Sequence, residues 1–194
     1  MGHAADNIGD GAEKIPPVPF YFLRHGETDW NRAHRLQGNI DVPLNETGMA
    51  QAQAAAAKLA GLPVATIVSS PLSRAWRTAE FAAQALGLPV EIDAGLAECA
   101  LGVREGMPEE GFLDRWQRGE ETPEGGESFV EFCRRAQAGM GRALARPGPV
   151  LVVAHGGVFS ALRQALGLGP SMMLANAVPI YLLPHDGRWK IAEI

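Results

Sequence analysis

Two arginines and two histidines stand where apolar runs of the chain give way to polar residues. Arg24-His25-Gly26-Glu27-Thr28 follows Phe20-Tyr21-Phe22-Leu23, and His155-Gly156-Gly157 follows Pro149-Val150-Leu151-Val152-Val153-Ala154. Between them, Ser69-Ser70-Pro71-Leu72-Ser73-Arg74 follows Ala65-Thr66-Ile67-Val68. Two guanidinium forks and two imidazoles suit an anion with several oxygens, phosphate first among them. The glycines after each histidine let backbone approach such a ligand closely. Helices beginning just past Ser70 and His155 would add N–H groups and a favourable dipole. Other chemistries lack their motifs. Cys99 and Arg104 are one residue short of the spacing in a cysteine-dependent phosphatase loop, and the chain has no Gly-x-x-x-x-Gly-Lys-Ser/Thr loop and no Gly-x-Ser-x-Gly elbow. No His-Glu-x-x-His occurs, and the two cysteines, Cys99 and Cys133, are too few for a cysteine-ligated zinc site or a disulfide scaffold.

The elements that must position these residues alternate in type. The apolar runs predict strands over 20–23, 65–68, 90–92 and 149–154. Helical spacing predicts one helix capped by Thr47 and closed by Gly61, a second over 73–86 stopped by Gly87, a third over 128–144, and a fourth from His155-Gly156-Gly157 to Leu166. Residues 31–46 read as loop. The glycine-rich stretch 94–126 reads as an irregular, functional insert with one short helix around 112–116. Val178–Leu183, Asp186-Gly187 and Trp189–Ile191 form a closing hairpin. Trp76 is spaced with Ala79, Ala83 and Leu86 as core, and Arg115, Arg118, Arg134 and Arg135 read as a solvated face. Strand, loop and helix in repetition predict an α/β protein with a mostly parallel sheet covered on both faces. Ligands of such sheets bind beyond the carboxyl ends of the strands, where Arg24, His25, Arg74 and His155 would meet.

Leu23-Arg24-His25-Gly26-Glu27-Thr28 followed by Asn31 resembles the signature of the histidine phosphatase superfamily, which includes cofactor-dependent phosphoglycerate mutase. Further blocks in the same order extend the resemblance: Gly38, Asp41-Val42-Pro43-Leu44 and Gly48; Ser69-Ser70-Pro71-Leu72 with Arg74-Ala75 and Thr78-Ala79; Leu96, Glu98, Gly102 and Glu105-Gly106; Gly126-Glu127-Ser128; and His155-Gly156-Gly157. It implies a three-layer α/β/α fold of the phosphoglycerate mutase type, with a C-terminal hairpin. It also implies that His25 is the nucleophile and forms a phosphohistidine, while Arg24, Arg74 and His155 clamp the phosphoryl oxygens with help from Asn31 and Gly156. Glu98 would protonate the leaving alkoxide, with Glu27 the alternative acid beside the nucleophile, and Gln37, Gly38 and Arg104 would contact the substrate. No metal and no cofactor are implied, save a bisphosphoglycerate primer for a mutase. Between Gly106 and Gly125 lie only 18 residues, acidic in character. The related mutases carry a longer basic insertion there, so a phosphatase is expected, with a mutase or a phospho-ligand binding module as alternatives. Arg104 departs from the aromatic residue found in many phosphatases.

Composition bounds the rest. In 194 residues, 46% are hydrophobic and 20% charged, which fits one globular domain rather than a disordered chain. Seventeen basic and 22 acidic residues give a net charge of -5, so the chain offers no electrostatic footprint for nucleic acid or an anionic membrane. Residues 1–18 carry Asp6, Asp10, Glu13, Pro16 and Pro17 without an apolar stretch, and read as a mobile leader rather than a secretory signal. Residues 19–194 are the single domain. A cytoplasmic enzyme with a small phosphorylated substrate is expected, its oligomeric state unread.

Overall fold

In chain order the elements are β1 (Phe20–Arg24), α1 (Asp29–Arg32), α2 (Glu46–Leu59), β2 (Thr66–Ser69), α3 (Ser73–Leu86) and β3 (Val90–Ile92), then α4 (Phe112–Gln117), α5 (Phe129–Leu144), β4 (Val150–Ala154), α6 (Gly156–Ala165), β5 (Pro179–His185) and β6 (Arg188–Glu193). The computed structural model describes residues 15–169 and 172–194, so most of the expected leader lies outside the described residues. The strands form one sheet in the order β3-β2-β4-β1-β5-β6. The first four are parallel, and β5 and β6 close the sheet as an antiparallel hairpin. At its turn, Asp186 (φ 49°) and Gly187 (φ 73°) supply the two positive φ values that a tight hairpin requires.

The pleat decides which residues meet which helices. Phe20, Phe22, Val150, Val152 and Ala154 share one face and pack on α5, α6 and, through Phe112 and Trp116, α4. Tyr21, Leu23, Ile67, Leu151 and Val153 share the other and pack on α2 and α3. Both faces are therefore covered, giving the expected three-layer α/β/α architecture. The register pairs Arg24 with Ala154 and Ser69 with Val153, so β1, β4 and β2 end level with one another. Residues just past those ends are brought to one edge of the sheet.

Three local expectations are corrected. The cap of α2 is Asn45, whose side chain accepts from the Gly48 N–H, and Thr47 is already helical; asparagine caps at least as well as threonine. The stretch 31–46 is not wholly loop, because α1 reaches Arg32. Trp76 is 44% exposed. The buried face of α3 runs through Arg74, Ala75, Thr78, Ala79 and Ala82, and Trp76 lies one residue off that stripe. No described helix is long and apolar enough to cross a membrane.

Candidate active site

Arg24, the last residue of β1, donates from Nη1 to the Leu174 carbonyl (2.7 Å), while its buried Nε has no partner among the described residues. Arg74, in the first turn of α3, is fully buried. Its Nη1 and Nη2 donate to the carbonyls of Ile40 and Gly38, both at 2.8 Å, and its Nε is likewise without a partner. Each guanidinium is thus anchored at one end by backbone carbonyls, with a donor left over.

His25 follows β1 and is 2% exposed. Its Nδ1 lies 2.7 Å from the Gly26 carbonyl, which can only accept, so Nδ1 carries the proton and Nε2 keeps its lone pair. Burial, then the charges of Arg74 and Arg24, holds this imidazole well below the usual histidine range. His155, just past β4, is fully buried, with its ring centroid 5.1 Å from that of His25. Burial and then Arg74 keep it neutral too. Its Nε2 lies 2.7 Å from Ser70 Oγ, and its Nδ1 has no partner among the described residues. Ser70 Oγ already accepts from the Leu72 N–H, which leaves its proton available for His155 Nε2.

Asn31 sits in α1, where Thr28 and Asn31 form a capping box. Asn31 Oδ1 accepts from the Thr28 N–H (3.2 Å) and from Asn176 Nδ2 (3.4 Å), so its amide is oriented by its oxygen end. Asn176 also donates to the backbone carbonyl of His25 (2.9 Å). Sequence reasoning did not single out Asn176, since it lies in an irregular segment before β5 with no motif around it.

Glu98 meets the start of α6: Oε2 accepts from the Gly157 N–H and Oε1 from the Cys99 N–H, both at 3.0 Å. A Cβ on residue 157 would stand 2.2 Å from Glu98 Oε1, so only glycine admits this approach. The segment carrying Glu98 is held by Arg135 of α5, which donates to the carbonyls of Gly95, Ala97 and Glu98 at 3.0–3.1 Å. Arg135 also chelates Glu127 with two 2.7 Å bonds, and Glu127 in turn accepts from the Ala100 N–H. Arg135 therefore does not belong to a solvated face, because the carbonyls of an irregular insert need donors and it supplies three.

The remaining expected residues engage partners within the protein. Gln37 is buried beside Thr28 Oγ1 (3.0 Å), and Gly38 serves Arg74 with its carbonyl. Arg104 is ion-paired with Glu121. The Glu27 carboxylate accepts from Asn45 at the start of α2. Burial, followed by the charges of Glu98 and Glu127, pushes the Cys99 thiol well above its usual range, and burial pushes Cys133 up to about 12. Among the described residues no group of His, Cys, Asp or Glu side chains converges as a metal site. A separate cleft of about 310 Å³, lined among others by Arg118, Phe129, Ser160 and Arg163, includes none of the histidines or the two clamp arginines.

Comparison with known proteins follows the same lines. A family model described as the histidine phosphatase superfamily (branch 1) matches residues 20–194. The probable phosphoglycerate mutase GpmB of Proteus mirabilis (strain HI4320) is 40% identical over 148 residues, covering 70% of this chain and 68% of its own. Its counterpart from Yersinia pestis (strain Pestoides F) is 36% identical over 158 residues, covering 75% and 73%. Among solved structures, a mycobacterial glucosyl-3-phosphoglycerate phosphatase in complex with VO3 superimposes with a TM-score of 0.79 at 34% identity, over 91% of this chain and 98% of that one.

Proposed function

The chain belongs to the histidine phosphatase superfamily, branch 1, and on that premise we propose that it is a metal-independent phosphatase hydrolysing a small phosphomonoester through a phosphohistidine on His25. The observation that carries this reading is the set of three buried nitrogens without partners among the described residues, Arg24 Nε, Arg74 Nε and His155 Nδ1, beside a neutral His25. A buried polar group left unpaired costs about 1–3 kcal/mol. Three such groups together serve a ligand, and their chemistry selects an oxyanion.

In the first step His25 Nε2 attacks phosphorus in line, the N–P bond forms and the P–O bond to the alcohol breaks. Glu98 in its acid form gives the departing oxygen its proton. The phosphorylated ring is cationic, and its Nδ1–H remains on the Gly26 carbonyl. Arg24, Arg74, Asn31 and the Gly156 N–H stabilise the equatorial oxygens, together with His155 through an Nδ1–H that Ser70 secures by donating to Nε2. In the second step water attacks phosphorus, Glu98 takes its proton, and His25 is released neutral with inorganic phosphate. The arginines supply the positive charge that a metal supplies elsewhere. Two buried free thiols, Cys99 and Cys133, support a reducing, cytoplasmic setting.

Inorganic phosphate release in chelator, from a panel of phosphomonoesters beside the His25→Ala variant, tests the reading. Release at full rate in chelator that vanishes in the variant is the expected result, and release that survives His25→Ala overturns it. A mutase is the second reading, favoured by what the relatives from Proteus and Yersinia are named. Conversion of 3- to 2-phosphoglycerate, primed with 2,3-bisphosphoglycerate and faster than phosphate release, would establish it. Phosphate binding without either reaction would leave a binding module.

A further inference from the structure

Two loops, residues 34–41 and 100–109, pack together into a wall next to Arg74. They are joined by Leu36 N–H to Met107 O (2.9 Å), Gly106 N–H to Leu36 O (2.8 Å), Asn39 N–H to Glu105 Oε1 (2.9 Å) and Arg35 Nη1 to Gly106 O (3.0 Å). The first loop also gives Arg74 the carbonyls of Gly38 and Ile40, so the wall adjoins the phosphate clamp. On it, large apolar side chains stand in solvent: Ile40 is 44% exposed, Val103 56% and Met107 45%.

Positive charge on the neighbouring insert is already committed. Glu121 gives one carboxylate oxygen to Arg104 and the other to Arg115 Nε (2.9 Å), and these two hydrogen bonds hold its carboxyl below the usual range. Arg104 also lies over the Phe112 ring at 5.1 Å, and Arg115 Nη1 donates to the Gly111 carbonyl at 2.9 Å. Arg118, the third arginine of the insert, takes both oxygens of Glu120 at 2.7 and 3.0 Å. One exposed ion pair does little, but a carboxylate shared by two arginines with further anchors is a network. A substrate carboxylate reaching for Arg104 would have to displace Glu121 and then sit beside its charge.

We propose that the substrate is a phosphomonoester of an uncharged, largely apolar alcohol, and that Glu121, by occupying Arg104 and Arg115, excludes alcohols bearing a second anionic group. This rests on the phosphatase reading above. The test compares kcat/KM for n-butyl phosphate, glycerol 3-phosphate and 3-phosphoglycerate, alkyl esters whose leaving groups differ little in intrinsic reactivity. The expected order places n-butyl phosphate first and 3-phosphoglycerate last, with at least a tenfold spread. Glu121→Gln should narrow that spread at least fivefold by raising activity on 3-phosphoglycerate, and adding Arg104→Met should remove the gain. Competitive inhibition by inorganic phosphate reports a folded site in each variant. A wild-type enzyme that favours 3-phosphoglycerate overturns this inference and leaves the phosphatase reading standing. A folded Glu121→Gln variant with an unchanged spread overturns the role of Glu121. Phosphate release by the wild type that is no faster than that of His25→Ala on all three esters overturns the phosphatase reading and this inference with it.

Discussion

Ser70 shows how a single hydroxyl can decide what a neighbouring ring offers. With one lone pair taken by the Leu72 N–H, it has its proton free for His155 Nε2, and in the proposed mechanism that bond leaves Nδ1 protonated toward the site. The opposite tautomer would present a lone pair to an anion, which repels. Ser70→Ala is expected to lower kcat/KM by about tenfold or more, in the range set by losing one oriented donor. Ser70→Thr should restore most of it. Nitrogen-15 shifts of the His155 ring in the phosphate complex should show Nδ1–H in the wild type and a mixture in Ser70→Ala, and identical spectra would sink the idea. The positions of Arg24, His25, Arg74 and His155 were legible in the sequence because each sits within a few residues of the end of an apolar run. Which carbonyl holds His25 Nδ1, and that Ser70 Oγ meets His155, were not, because these are settled by rotamers and backbone direction that no spacing encodes.

At the scale of elements, α5 sets the place of the proposed acid. Trp116 and Phe129 pack edge to face at 4.9 Å, and Arg135 gathers the carbonyls of Gly95, Ala97 and Glu98 one side chain away from Glu127. Arg135→Met should therefore act through Glu98. We expect kcat to fall at least tenfold on alkyl phosphates but much less on 4-nitrophenyl phosphate, whose leaving group needs no proton. Arg135→Lys should recover part of the alkyl activity, and equal losses on both substrates would mean a merely structural role. α3, α5 and β4 were legible within a residue or so, since they are long or strongly patterned, and α4 was placed as a short helix within the insert. α1 was not: it spans four residues, and its capping box uses Asn31 where a glutamate or glutamine is the usual signal. Asn176 escaped for a related reason, having neither periodicity nor a motif and acting on a carbonyl 151 residues away.

For the whole molecule, burying two neutral histidines links folding to acidity. Both rings are held well below the unfolded value, first of all by burial and then by the guanidinium charges. Above about pH 6.5 neither the folded nor the unfolded chain protonates them, and they leave stability unaffected. As pH falls below that value the unfolded chain takes up two protons that the folded chain refuses. Stability then declines by up to about 1.4 kcal/mol per pH unit for each histidine, until the folded values are reached. Urea midpoints measured from pH 8 to pH 5 should fall less steeply for a His25→Asn, His155→Asn double variant than for the wild type, and parallel curves would contradict this. The layered architecture was legible because strand and helix alternate from Pro19 onward. The strand order was not, because β1 finds its partners β4 and β5 only near the far end of the chain.

That central place of β1 also governs the molecule's birth. β1 is made well before β4 and β5, the strands that flank it in the sheet, and the carbonyl of His25 waits for Asn176. At a synthesis rate of about 5–20 residues per second, β1 emerges from the ribosome many seconds before β4 and β5 exist to cover its two edges. Its apolar residues Phe20, Tyr21, Phe22 and Leu23 must be sheltered by other means during that interval. A nascent chain that ends before residue 174 has His25 but neither Asn176 nor the Leu174 carbonyl that anchors Arg24, so these supports of the site arrive long after the residues they hold.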